Sequence, residues 1–483
     1  MAYQHGVYTY EKETSLVAPV KGTAGLQVIF GTAPVNMAAD PYNCTNVPMI
    51  GYDYAECCKN VGYSDDWKSY SLCQSIYANF KVFNVAPIIL INVLDPTKHI
   101  KDLESQALTF VGGQATINVK GILLDKLVLS GTTEYVADTD YTAAFESDGD
   151  VVITVINPAM ESETITATGK VIDPTMVTAA DIVGGYDVAT GRETGMDVLR
   201  QIYPKFGMTP GLILAPGWSH EPTVAAVMQS KCENINEAFT CECIIDINCS
   251  ETGANVYTKV KEQKEKQGVD SPHCLPVWPM VKVGGLVFCA SALAGALTAY
   301  VDASNEDIPN LSPSNHPAKI TATCLPDGTE LVVDQSRGNQ VNSVGVTTFI
   351  NINGYKLWGG RTACYPGNTD PKDMWFNVRR FFSWRRNGFT LTFMQKVDRN
   401  ADPRLIQTIC DSANIEGNGY VARGYCAGDR ITFTMDENAA TDILNGTIQF
   451  HHYLAPYTPA HVIKDTFEFD VDALMDSLGG AAR

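Results

Sequence analysis

Ser219 lies in the run APGWSHEP (Ala215–Pro222), after an apolar stretch and before a helical pattern, where a nucleophile elbow would place an acylating serine. An elbow needs G-x-S-x-G, because both glycines permit the strained turn. Here Glu221 stands where the second glycine belongs, and Ser219 reads as the N-cap of the following helix, with Glu221 in its first turn. The glycine-rich run Gly184–Gly195 (GGYDVATGRETG) fits neither G-x-G-x-x-G nor G-x-x-x-x-G-K-[ST], so no phosphate cradle is expected. Cys241, Cys243 and Cys249 lack the paired C-x-x-C spacing of a zinc site, and His451 and His452 point to opposite faces of any strand that carries them. Asp95, Asp187 and Asp246 sit at expected strand or loop ends, where turns and caps place aspartate as readily as catalysis does. No cofactor, no metal and no enzyme activity is expected. One cluster stands out: Arg379, Arg380, Arg385 and Arg386, interleaved with Trp375, Phe381, Phe382 and Trp384, in a chain of net charge -19. It reads as an amphipathic element meeting a protein partner.

The charge balance argues against nucleic acid, which requires a basic footprint. Hydrophobic residues at 45% and charged residues at 18% of 483 suit several folded domains. The first residues, MAYQHGVYTYEKETS, have neither a basic nor an apolar signal region, and the 14 cysteines are sparse. Free thiols and folding in a reducing cytoplasm are expected. The uncharged run Val283–Val301 approaches a membrane span in length, but its glycine, alanine and serine content predicts a buried core helix packed through small residues.

These side chains need elements to hold them. Apolar runs at LQVIFGTAP (from Leu26), APIILINVLDP (from Ala86), GLILAPG (from Gly211) and CECIIDIN (from Cys241) read as buried parallel strands. Helical patterns alternate with them around Trp67–Phe83, 191–207 and 221–239. Residues 107–172 hold several short β-like runs separated by turns, the pattern of a β-sandwich inserted into one α/β domain. After the loop Ile308–Pro317, a strand-like run (TTFININGYKLWGG), helices at 373–386 and 403–414, and a strand in Gly446–Pro456 form an α+β region. Both ends are strand-like without a place in a core. Val7, Tyr8 and Tyr10 lie near the start; at the end Phe467, Phe469 and Val471 alternate with Glu468, Asp470 and Asp472.

The chain resembles the tail sheath proteins of contractile phage tails, R-type bacteriocins and related injection machines. HGVYTYE, IFGTAP, the YSDDW…SIYANFKVFNVAPIILINVLDP stretch, ILAPGWS, the PSN of Pro313–Asn315, VRRFFSWR and the ending LNGTIQFHHYLAPYTPAHVIKDTFEFDVDAL carry the resemblance in order along the chain. It implies a subtilisin-like α/β core (21–104 and 176–330) without a working triad, an inserted β-sandwich (105–175), a C-terminal α+β assembly domain (331–463), and arms at 1–20 and 464–483. It further implies a helical homopolymer around an inner tail tube, contracting by subunit rearrangement, with baseplate and tail terminator proteins as further partners. Such a particle is a virion tail or a phage-tail-like device, assembled in the host bacterial cytoplasm without membrane insertion. By position, Gly6, Val7, Tyr8 and Tyr10 would form one donated strand and Phe467, Phe469 and Val471 another. Ile448, Phe450, His452 and Leu454 would mark the receiving strand, and Arg379, Arg380, Arg385 and Arg386 would face the inner tube. Two other readings stand beside it: a hydrolase using Ser219, and a surface adhesin or decoration protein displaying the β-sandwich.

Overall fold

The computed structural model describes residues 20, 21 and 23–480. Gly6, Val7, Tyr8 and Tyr10, the expected N-terminal donor residues, lie outside the described residues.

The apolar runs assemble into one six-stranded sheet. In chain order it takes β1 (Gln27–Gly31), β2 (Met49–Gly51) and β3 (Ile88–Asn92). After the insertion come β4 to β10, described below, and then β11 (Leu212–Leu214), β12 (Glu242–Asp246) and β13 (Cys274–Val277). The spatial order is β13-β12-β11-β1-β3-β2, parallel except for the edge strand β2. Every residue of β1, β3, β11, β12 and β13 is buried, which explains why the middles of these strands are continuously apolar instead of alternating. Helices α1 (Tyr54–Val61), α2 (Leu72–Tyr77), α3 (Pro222–Glu233) and α4 (Ala290–Ala303) accompany the sheet.

Helix α4 accounts for most of the uncharged run of the sequence. It is buried along almost its whole length, with its small residues against the sheet. A Cβ on Gly295 would stand 2.5 Å from Leu214 Cδ1, so only glycine lets the helix approach β11 this closely. No helix among the described residues is long and apolar enough to cross a membrane.

The insertion is built from β4 (Ile100–Leu108), β5 (Gln114–Ile117), β6 (Val128–Ser130), β7 (Glu134–Tyr135), β8 (Tyr141–Phe145), β9 (Val151–Val155) and β10 (Ile165–Ile172). These form a four-stranded sheet, β4-β10-β6-β7, and a three-stranded sheet, β8-β9-β5. Leu129, Ile117, Ile153, Ile165 and Met160 are fully buried in a cluster separate from that of the large sheet.

Two segments differ from their sequence reading. Residues 191–207 are not one helix. A hairpin (Gly184–Asp187 with Arg192–Gly195) leads into a short 3-10 turn (Met196–Gln201) and a five-residue helix (Ile202–Phe206). Gly195 has φ 54°, and its Cα lies so close to the backbone of residues 181–184 that a Cβ would collide. The stretch from 331 to 376 also packs more closely on the core than a boundary at 331 implies. Val333, Val341, Val346 and Ile350 share a cluster with Ile247, Val260 and Trp278. The buried Lys264 ammonium reinforces this by donating to the carbonyls of Val344 (2.7 Å), Ala363 (2.6 Å) and Tyr365 (3.0 Å).

The C-terminal part contains the hairpin β14 (Thr348–Asn351) and β15 (Tyr355–Trp358), then α5 (Phe376–Phe393) and α6 (Pro403–Ala422). A second hairpin follows, β16 (Cys426–Thr432) with β17 (His451–Pro456). The described chain ends in α7 (Val471–Gly480).

Candidate inter-subunit surface at the C-terminal end

Helix α5 carries the arginine cluster, and its register divides the four side chains. Arg380 is 2% exposed and forms a double hydrogen bond with Asp302 at the end of α4; its Nη1 lies 2.9 Å from Oδ1. Burial pushes the Asp302 carboxyl above its ordinary range, and the opposing pull of Arg380 does not cancel that effect. Next along the buried face, Ser383 donates to Glu242 on β12 at 2.6 Å. Asn387 accepts from the Thr240 N–H and donates to its carbonyl. This row fastens α5 to the core. Arg385 turns toward the second hairpin, with Nε 2.6 Å from Asp429 Oδ2 and Nη1 2.9 Å from Glu416. Two of the expected tube-facing residues are therefore corrected: Arg380 and Arg385 are interior, held by carboxylates of their own chain. Arg379 is partly covered and pairs with Asp373, while Arg386 is exposed.

The β16–β17 hairpin packs on α5 and α6 through Phe381, Tyr420 and Leu454 at one end and Phe393, Ile409, Ile431 and Phe450 at the other. His452 Nε2 lies 2.6 Å from Asp429 Oδ1, so one buried carboxylate joins Arg385 to β17. Burial raises the Asp429 carboxyl, but the bonds from His452 and Arg385 outweigh it and hold the group below its ordinary value. His451 faces the other way, stacked on Tyr453 and bonded to Glu437. Of the expected receiving residues, His452 and Leu454 lie in β17, whereas Ile448 and Phe450 precede it.

The two edges of this hairpin are unlike. Ile431 on β16 has its N–H and C=O both bonded to the Asn414 side chain of α6 (2.9 and 3.0 Å), so the helix covers that edge there. Because Ile431 is opposite His452 and such pairs alternate along an antiparallel ladder, the backbone groups of His452 and Leu454 point away from β16. Among the described residues no strand pairs with that edge of β17.

The chain then leaves the body. Asn377 Nδ2 reaches the Tyr457 carbonyl, and Trp375 packs edge-on against His461 at 5.3 Å. Beyond His461 the chain carries no secondary structure as far as Asp470. Phe467 is 93% exposed and Phe469 74%. The alternation expected of a strand is present in the sequence, but no partner strand is present among the described residues. At Val471 the expected strand gives way to α7, where the Asp470 carboxylate accepts the Ala473 N–H at 2.9 Å.

The core holds no comparable opening at Ser219. The N-cap of α3 is Glu221, with Pro222 at the first helical position, so the expected cap at Ser219 is corrected as well. Ser219 is fully buried beyond the end of β11, where it donates to Asp246 Oδ2 at 3.0 Å and accepts the Asp246 N–H at 3.0 Å. The same carboxylate accepts the Ser291 N–H (2.8 Å) and Oγ–H (2.5 Å) in the first turn of α4. A serine that donates to a buried carboxylate already bonded to a helix N-terminus has a structural role. It ties β11, β12 and α4 together.

No family model matches the chain. Against individual proteins, it is 25% identical over 499 residues to the tail sheath protein of Burkholderia phage BcepMu, with 99% of each chain aligned. The chain is thus similar to a tail sheath protein along its whole length. A putative prophage major tail sheath protein of Pseudomonas aeruginosa and the tail sheath protein of Escherichia phage P2 are each 24% identical to this chain over 58% of its length, covering 70% and 68% of theirs. The fold agrees. A chain in the cryo-EM structure of the anti-feeding prophage baseplate superposes on this chain with a TM-score of 0.58 at 13% identity, covering 98% of it and 100% of that chain. The sheath complex of the extracellular contractile injection system PVC, in its contracted state, gives 0.58 at 13% identity, with coverage of 98% and 99%.

Proposed function

We propose that this chain is a structural sheath subunit that polymerises into a helical contractile tube around an inner tail tube, and that its C-terminal arm is a strand donated to a neighbouring copy. The observation that carries this reading is the pairing of opposites at one end of the molecule. A β17 edge with no partner strand among the described residues is followed along the chain by a segment without secondary structure whose two phenylalanines are exposed. Strand addition satisfies both. With Phe467 and Phe469 turned to the side of Phe450 and Leu454, Glu468 and Asp470 fall on the side of Arg430, whose guanidinium lies over the Tyr453 ring. Each main-chain hydrogen bond contributes about 0.5–1.5 kcal/mol, and each phenylalanine about 1.5–3 kcal/mol. One arm is modest, whereas a lattice in which every copy gives and receives is multivalent.

In this reading residues 1–20 are the second arm, and residues 21–104 with 176–330 form a subtilisin-like core without a triad. Residues 105–175 form the inserted sandwich, and 331–463 the assembly region. Arg386, with Arg379, is the remaining candidate for the inner tube, and baseplate and tail terminator proteins close the ends. Contraction is a passage from a metastable extended lattice to a better-packed one, with no nucleotide consumed. Expression of the full chain alone, imaged by negative-stain electron microscopy beside a chain lacking residues 1–17, tests the proposal. Striated tubes from the first and none from the second are expected. Discrete monomers from the full chain under assembly-favouring conditions overturn the sheath reading.

A further inference from the structure

Helix α7 has a use that strand donation does not explain. Val471, Leu474, Met475 and Leu478 fall at i, i+3, i+4 and i+7 on one face, and all four are exposed. Asp472 and Asp476 flank this stripe, and α7 carries no basic residue. The stripe is therefore open to another molecule.

A complementary surface lies at the corner between α5 and α6. Leu391, Met394 and Val397, spaced three apart, are exposed there. Lys396 and Arg399 follow them along the chain and Arg404 lies in the first turn of α6, and none of the three is in an ion pair among the described residues of this acidic chain. The corner adjoins the start of β17, because Phe393, Leu405 and Phe450 share one cluster. An arm running antiparallel to β17 ends at that same place, and Asp470 starts α7 immediately afterwards.

We infer that α7 of one copy docks its apolar stripe on the α5–α6 corner of the copy that receives its arm, with Asp472 and Asp476 facing Lys396, Arg399 and Arg404. The arm is then a strand and a helical latch delivered together. This rests on the strand-donation reading and adds a direction to it, since a parallel arm would carry α7 to the opposite end of the hairpin. A photocrosslinking amino acid at Leu478, in tubes mixed from isotopically light and heavy full-length chains, tests it by mass spectrometry. Light-to-heavy crosslinks to the peptide 387–404 are expected. Their yield should fall severalfold in K396E/R399E and recover when D472K/D476K is added. Crosslinks within one chain, to another peptide or to a co-expressed inner-tube protein overturn the docking while leaving the sheath reading intact. A full-length chain that forms no tubes overturns the sheath reading, and the docking with it.

Discussion

The interior around α4 and the end beyond β17 follow opposite rules. Around α4 the polar groups described above find partners inside the chain: Arg380 has Asp302, Asp246 has two serines, and Lys264 has three carbonyls. Beyond β17 an edge, two phenylalanines and an apolar helical stripe have none within the described chain. Such exposure is costly for a monomer and marks an interaction surface. The contrast separates what makes the subunit fold from what makes it assemble, and substitutions in the two regions should have effects that do not overlap.

The largest separation is expected from F467D/F469D. It should abolish tubes by electron microscopy and sedimentation, while the monomer's unfolding free energy changes by no more than about 0.5 kcal/mol, as for surface sites. Equal thermal destabilisation would show that the arm belongs to the fold. D302A should do the reverse in kind, costing about 3–5 kcal/mol in chemical unfolding because Arg380 remains buried and unpaired. A D302L/R380M chain, with both charges removed, should recover most of that loss. S219A should lower stability by about 2–3 kcal/mol, because it removes a bond to a buried carboxylate and leaves the buried Asp246 N–H unpaired, and should leave tube formation unchanged. Loss of tubes there would move Ser219 out of the purely structural role. The smallest effect is in pH. The Asp429 carboxyl is depressed in the folded state, so its contribution is present above the ordinary carboxylate value of about 3.9 and is lost as pH falls through the lower folded value. In D429N the stability curve should be flatter below about pH 4 than in the parent.

Much of this was legible in the sequence where one physical signal dominates. Strands buried on both faces read as continuous apolar runs, so β1, β3, β11 and β12 were visible. The insertion showed in its short alternating segments. What escaped was decided by distant residues or by overlapping periods. Arg380 and Arg385 looked like surface cations because their partners, Asp302 and Asp429, stand 78 and 44 residues away. Helix α7 was hidden because Val471 completes the period-two pattern of Phe467 and Phe469 and also begins the i, i+3, i+4 pattern of the helix. Ser219 looked like a cap because Pro222, not Ser219, sets where α3 begins.

The thread between His461 and Thr466 bears on motion. His461 against Trp375 is the last described ring contact before Phe467, and five residues span at most about 18 Å when fully extended. In the proposed lattice that length would limit how far a donor body can travel from its recipient while the donated strand stays seated. It would act as a tether whose slack sets the longest stroke the lattice can make without tearing, so adding residues between His461 and Thr466 should lengthen the permitted stroke and removing them should shorten it.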